Sequence, residues 1–323
     1  MTWRRPPRWW PLVLGDACIV VVAVILATSW SPVVAGHPAY LVTLLFVAAG
    51  GVVAVALATL TVRSRTSRPP TERSRARTWG LWIGRAVATV AVVGLLAVLW
   101  WLRPLGATDV ALDALSSGDG VTVVQSATRI ELRPTGALDP TGVVFYPGAK
   151  VDARAYAAIL RPLAEAGHLV VIVKLPFGIA FTDINAASSV IAAEDGVDHW
   201  VVAGHSLGGT AAAKYAADNP DDVDGLVLWA SYPADSLADD EDLAVLSVSG
   251  TNDRLTTPAD VEKSKADLPP DTKFVAVPGA VHADFGDYGP QAGDGTPTVP
   301  RDKAQRQIAS ATLAFLTELD RTA

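Results

Sequence analysis

Gly204-His205-Ser206-Leu207-Gly208-Gly209 follows the apolar run Trp200-Val201-Val202-Ala203 and opens a helical pattern over residues 207–217 that Asn219-Pro220 stops. A strand that runs into a helix through a G-x-S-x-G turn is the setting of a nucleophile elbow. The turn is tight enough to need small residues on both sides of the serine, here Gly204 and Gly208. It holds the Ser206 hydroxyl clear of the sheet edge, near the positive end of the helix. A serine hydroxyl is a poor nucleophile near neutral pH, so this reading requires an imidazole to take its proton and an acid to orient that imidazole.

Both occur downstream. The strand over residues 244–249 runs into Gly250-Thr251-Asn252-Asp253-Arg254, and the strand over 274–277 runs into Gly279-Ala280-Val281-His282. Ser206, Asp253 and His282 then follow in the order Ser, Asp, His, each just past the carboxyl end of a strand. Asp284 and Asp287 compete for the role of the acid but lie close to His282 in sequence, while Asp222 and Asp224 precede a strand. His205 neighbours the nucleophile with its side chain expected to point away, which suits packing or support; His37, His168 and His199 read as structural. An oxyanion intermediate needs two backbone donors. Leu207 N–H is one, and the loop Pro147-Gly148-Ala149-Lys150 after the strand over 142–146 offers the other, Ala149 first and Lys150 as the alternative.

Working outward, strands are expected at 121–125, 130–133, 142–146, 169–174, 200–203, 225–229, 244–249 and 274–277. Between them lie a helix capped by Asp152, with Tyr156, Ile159, Leu160 and Leu163 on one face, and helices over 184–193 and 207–217; a last helix covers 302–319. Near-continuous apolar runs such as LVVIV and FVAV suit parallel strands covered on both faces. The fold class is α/β, a mostly parallel sheet flanked by helices. Only about a dozen residues separate the strands ending at 230 and beginning at 244, too few for a large lid. The site is therefore expected to be shallow, bordered by Tyr232, Phe177 and the loop over 286–295. That loop lacks the D-x-[DN]-x-[DN]-G spacing of a calcium loop and reads as a turn-rich rim.

The segments YPGAKVDARAY (146–156), GHSLGG (204–209), GTNDRL (250–255) and VHADFGDYGPQAGDG (281–295) resemble those of a bacterial α/β-hydrolase family near the dienelactone-hydrolase-like enzymes. The resemblance covers most of residues 142–319 and implies the α/β-hydrolase fold, the same triad and an esterase-like activity. Two departures stand against lactone specificity: Ser206 replaces the cysteine nucleophile of dienelactone hydrolases, and Tyr146-Pro147 precedes the oxyanion loop instead of His-Gly.

The amino-terminal third is of another kind. Residues 12–30, 40–62 and 82–102 are three apolar stretches near the roughly 20 residues a helix needs to cross a hydrocarbon core. Trp9, Trp10, Trp30, Tyr40, Trp79, Trp82, Trp100 and Trp101 mark their ends, as amphipathic rings do at headgroup level. Through Arg103 there are eleven Arg and no Lys against Asp16 and Glu72, a balance of +9, whereas the remainder balances at −16. Arg4, Arg5 and Arg8 precede the first span, and Arg63, Arg65, Arg68, Arg73, Arg75 and Arg77 fill the second connection. These flanks belong on the cytoplasmic side, the uncharged connection over 31–39 outside, and the domain after the third span outside as well. That topology survives even if the first stretch is a cleaved signal peptide. Asp16 and Arg85 lie near span ends, where they can snorkel.

The division expected is a membrane anchor over 1–103 and a catalytic domain over 104–323. An acidic second unit excludes nucleic acid as a partner, and a single cysteine, Cys18, excludes an intrachain disulfide. The sequence thus predicts a membrane-anchored, cofactor-free serine hydrolase acting on a carboxylic ester, with a thioester or lipid ester as variants. The other class it allows is a membrane-tethered binding domain that keeps the fold and hydrolyses nothing.

Overall fold

The computed structural model of the protein describes residues 9–64 and 75–322. Its contacts divide it into one unit of Met1–Val33 and Ala39–Arg103 and another of Val34–Pro38 and Pro104–Ala323. Six of the arginines that set the expected orientation, Arg4, Arg5, Arg8, Arg65, Arg68 and Arg73, lie outside the described residues.

The first unit contains α1 (Trp10–Ala35), α2 (Pro38–Ser64) and α3 (Arg75–Trp101). Within them Trp10–Ala35, Pro38–Leu60 and Trp79–Trp101 are long and apolar enough to cross a membrane. The connection expected over 31–39 shrinks to Gly36 and His37, because α1 resumes after a kink at Ser29 (φ −138°, ψ 29°) and continues to Ala35. Pro32 falls in the first turn of the resumed segment, where a missing N–H forfeits no helical bond. Small residues let α1 and α2 approach closely: a Cβ on Gly15 would stand 2.7 Å from Gly51 O, and one on Gly51 2.7 Å from Gly15 O. Trp10 Nε1 donates to Thr89 Oγ1 (2.9 Å) at one end of the three helices, and Tyr40 Oη donates to Leu99 O (2.6 Å) at the other.

The second unit is built on eight strands: β1 (Val121–Gln125), β2 (Arg129–Pro134), β3 (Thr141–Tyr146), β4 (Val170–Val173), β5 (His199–His205), β6 (Gly225–Trp229), β7 (Ala244–Gly250) and β8 (Lys273–Val277). They form one sheet in the order β1-β2-β4-β3-β5-β6-β7-β8, antiparallel at β1-β2 and β2-β4 and parallel elsewhere. Every residue of β3, β4 and β6 is buried, as an apolar run covered on both faces requires. The short helix α4 (Asp109–Asp113) precedes the sheet, and α5 (Ala157–Glu165), α6 (Ser188–Ile191), α7 (Leu207–Asp218), α8 (Pro258–Ser264) and α9 (Arg301–Thr322) follow in chain order.

Side chains alternate between two cores. Val143, Phe145, Ala203 and Trp229 face one layer with Ile159, Leu160 and Leu163 of α5 and Ile308 and Phe315 of α9. Val144, Tyr146, Val202 and Leu228 face the other with Ala211, Ala212 and Tyr215 of α7. This is the α/β-hydrolase architecture expected from the sequence. One helix is cut short: of residues 184–193, Ile184–Ala187 is a 3-10 turn and only Ser188–Ile191 is α-helical. The buried Tyr146 hydroxyl holds that turn, donating to Ile184 O (2.6 Å) and accepting Ala187 N–H (2.9 Å).

Candidate active site

Ser206 joins β5 to α7 with φ 54° and ψ −127°, a conformation that costs a non-glycine residue about 1–3 kcal/mol. Bonds on both sides of the residue hold it there. Its N–H donates to Trp229 O (3.0 Å), and its carbonyl accepts Gly209 N–H (2.9 Å) and the Ser231 hydroxyl (2.7 Å). The flanking glycines are required by contact: a Cβ on Gly204 would stand 2.4 Å from Gly208 C, and one on Gly208 only 2.1 Å from Tyr146 O.

Asp253 follows β7 and His282 follows β8, adjacent strands at one end of the sheet. His282 Nδ1 and Asp253 Oδ2 are 2.8 Å apart, with both side chains buried. A carboxylate can only accept, so Nδ1 carries a proton, and in the neutral ring the lone pair is on Nε2. The other carboxylate oxygen accepts the N–H groups of Leu255 (2.7 Å) and Thr256 (2.8 Å), which fixes its orientation. Two of the competing acids are occupied elsewhere: Asp284 accepts Val281 N–H (2.9 Å), and Asp224 pairs with His199 (3.0 Å) and Trp200 N–H (2.8 Å). The His205 ring, one residue before Ser206, lies 4.5 Å from the His282 ring, so elbow and imidazole meet at the same sheet edge. Ser206 Oγ makes no hydrogen bond among the described residues; such bonds often close only once substrate is bound.

Backbone donors near the elbow are nearly all committed. In the loop after β3, Gly148 N–H donates to the Tyr156 hydroxyl (2.9 Å) and Lys150 N–H to Gly178 O (2.7 Å). Pro147 has no N–H, so Ala149 alone in that loop keeps a donor without an acceptor among the described residues. Leu207 N–H, at the first position of α7, is likewise uncommitted.

The model of the alpha/beta hydrolase family matches residues 142–307, which contain Ser206, Asp253 and His282. The chain belongs to the alpha/beta hydrolase family. Similar solved structures include TT1662 of Thermus thermophilus (15% identity, 62% of this chain and 98% of that one, TM-score 0.48). Others are an esterase of Pyrobaculum calidifontis (17%, 64% and 89%, 0.46) and a monoacylglycerol lipase of Paleococcus ferrophilus (17%, 60% and 99%, 0.44). No curated protein matches the chain.

Around this hydrolase's site, three side chains do more than their sequence positions suggest. Tyr156, expected only as an apolar helix-face residue, bridges the loop and the elbow: its hydroxyl accepts Gly148 N–H and stands 2.9 Å from His205 Nδ1. His205 is fully enclosed, with Phe285 stacked on it at 5.8 Å, and burial holds its imidazole well below the ordinary 6.5. Its Nε2 has no partner of good hydrogen-bond geometry, the His282 backbone being the polar group that faces it. Asp294 reaches back from the loop expected to be a mere rim, accepting His282 N–H (3.1 Å) and Ala283 N–H (2.9 Å). Asp287 and Tyr288 of the same loop are buried, so only residues from Gly289 onward border solvent. No helical cap interrupts 231–243, and the carboxyl-end loops of the sheet expose Phe181, Tyr232 and Leu255.

Proposed function

We propose that the chain is a serine hydrolase that cleaves a carboxylic ester through an acyl-enzyme. Its catalytic domain, residues 104–323, is anchored by residues 1–103 in a membrane. Ser206 Oγ attacks the ester carbonyl while His282 Nε2 takes its proton, and the uncommitted N–H groups of Leu207 and Ala149 receive the oxyanion. The C–O bond to the alcohol then breaks, and His282 returns the proton to the leaving oxygen. Water, deprotonated by the same nitrogen, releases the acid and regenerates the serine. Asp253 holds the imidazole in the tautomer that leaves Nε2 free.

The observation that carries this reading is the buried Asp253–His282 bond of 2.8 Å beside a serine held at φ 54°. Phe181, Tyr232 and Leu255 at the mouth suit an ester with an apolar acyl or alcohol part, a lipid ester included. A fluorophosphonate probe should label the purified full-length protein and should not label Ser206→Ala, whose thermal midpoint should barely change. Labelling or turnover that persists in Ser206→Ala would dismiss Ser206 as nucleophile. Absence of labelling and turnover in the wild type would favour a binding domain on a hydrolase fold.

A further inference from the structure

At the amino end of the sheet, far along the strands from Ser206, three side chains converge that the proposed reaction does not use. Asp139 precedes β3, His168 precedes β4, and Asp320 lies in the last turn of α9. One ligand atom of each, a carboxylate oxygen or an imidazole nitrogen, lies within 4.8 Å of the others. We infer that Asp139, His168 and Asp320 form a binding site for one divalent transition-metal ion, of which zinc is the type.

The tautomer of His168 is the first reason. Its side chain is 2% exposed, and Nδ1 stands 3.0 Å from Thr141 O. A carbonyl can only accept, so Nδ1 carries a proton, and Nε2 is the ring nitrogen directed toward the carboxylates. Metal-bound histidines are commonly held this way, one nitrogen on the ion and the other donating to a backbone carbonyl. Nε2 has no hydrogen-bond partner among the described residues and stands 3.9 Å from Asp139 Oδ2.

The carboxylates point the same way. Asp320 Oδ1 is buried and makes no hydrogen bond among the described residues, and Asp320 sits at the negative end of the α9 dipole, where an acid is disfavoured. No Lys or Arg forms an ion pair with Asp139 or Asp320 among the described residues. The backbone is already arranged for the site. Gly167 (φ 118°) ends α5 in a Schellman turn, with Gly167 N–H on Ala164 O (3.2 Å) and His168 N–H on Leu163 O (3.1 Å). Asp139 N–H donates to Gly167 O (3.0 Å), and a Cβ on Gly167 would stand 2.6 Å from Asp139 Oδ2.

Donors on a tetrahedral zinc stand about 3.3 Å apart for bonds of about 2.0 Å, so small side-chain rotations close the cluster onto an ion. One imidazole and two carboxylates form a set that suits zinc better than calcium or magnesium, and the half-exposed Asp139 leaves room for a water as fourth ligand. A bound ion would fasten the end of α9 to the loops before β3 and β4.

The test uses the untagged full-length protein in detergent, freed of metal with a chelator. Zinc chloride titrated calorimetrically should bind once per chain and raise the thermal midpoint by about 5 °C at a hundredfold excess over the dissociation constant. Cobalt chloride should give visible absorption bands. Asp320→Asn and His168→Gln should each bind zinc at least tenfold more weakly and lose the midpoint shift, while Asp320→Asn keeps the metal-free midpoint. No zinc binding by the wild type, or binding that both variants retain undiminished, would overturn the inference.

Discussion

Asp253 and His205 carry opposite demands on the same imidazole neighbourhood. Asp253 keeps the His282 proton on Nδ1, and its second oxygen is spent on Leu255 and Thr256 N–H, so the carboxylate has little freedom to rotate. Asp253→Asn retains one acceptor for those amides but can offer an N–H to Nδ1, which would shift the ring proton to Nε2 and block the base. Turnover should fall by about 10⁴-fold, the loss seen when a serine protease undergoes the same exchange, with little change in thermal midpoint. A loss below tenfold would move the orienting role to another acid. His205 must stay neutral. Its folded imidazole titrates well below 6.5, because of burial first and the charge of His282 second, so between the two values the unfolded chain binds the extra proton. Its effect on stability is therefore nil above about 6.5 and increasingly unfavourable as pH falls toward the folded value. The thermal midpoint should decline on acidification below 6.5, and His205→Gln should flatten that decline relative to wild type. An identical slope in the variant would place the sensitivity elsewhere.

At the level of elements, the elbow is a strand-to-helix joint with no spare volume. A methyl group at Gly208 meets the Tyr146 and Pro147 carbonyl oxygens at 2.1 and 2.4 Å, backbone atoms that cannot rotate away. Gly208→Ala should cost about 1–3 kcal/mol in stability, within the range of overpacked sites. It should also cost most of the activity, since the displaced carbonyls belong to the segment that carries Ala149 N–H. Retention of full activity with a normal melting curve would mean the joint relaxes more easily than the contacts allow. The joint was legible in the sequence because its signal is local, an apolar run, two glycines and a serine within ten residues, although Trp229, Ser231 and Tyr146, which hold it, are distant in the chain. The same holds for the eight strands, each an apolar or β-branched run bounded by turn residues. Legibility ended where contacts became distant. Tyr146 ties down residues 184–187, turning an expected helix into a 3-10 turn across 38 positions. The amides of His282 and Ala283 are capped by Asp294, 12 and 11 positions away, and Tyr156 reaches His205 across 49. Helix α8 went unread because its only buried apolar side chain is Val261, although the Thr257/Asp260 capping box that starts it is a local signal.

At the scale of the whole molecule, the charge distribution predicts which side of the membrane the acidic domain occupies. The chain through Arg103 balances at +9 and the rest at −16, and the arginines cluster before α1 and between α2 and α3. Packing among the helices supports taking those clusters together. Trp10, at the start of α1, donates to Thr89 and lies 5.4 Å from the Arg85 guanidinium in the amino half of α3. Tyr40, at the start of α2, meets Leu99 at the end of α3. Both arginine-rich ends thus lie at the same end of the three helices, and the positive-inside bias acts on them jointly. Arg103 opposes the bias alone, at the other end, against nine arginines. The acidic domain should therefore face away from the cytoplasm. In a bacterial host, a reporter active only outside the cytoplasm and fused after Ala323 should give a strong signal, and protease added to intact spheroplasts should remove the chain from Leu105 onward. Exchanging Arg63, Arg65, Arg68, Arg73, Arg75 and Arg77 for Gln while adding Gly36→Arg and His37→Arg should weaken the signal, because only the three arginines before α1 would then hold the orientation. Protection of the wild-type domain until the membrane is permeabilised would reverse the assignment, since the same charges would then have to be on the outer side.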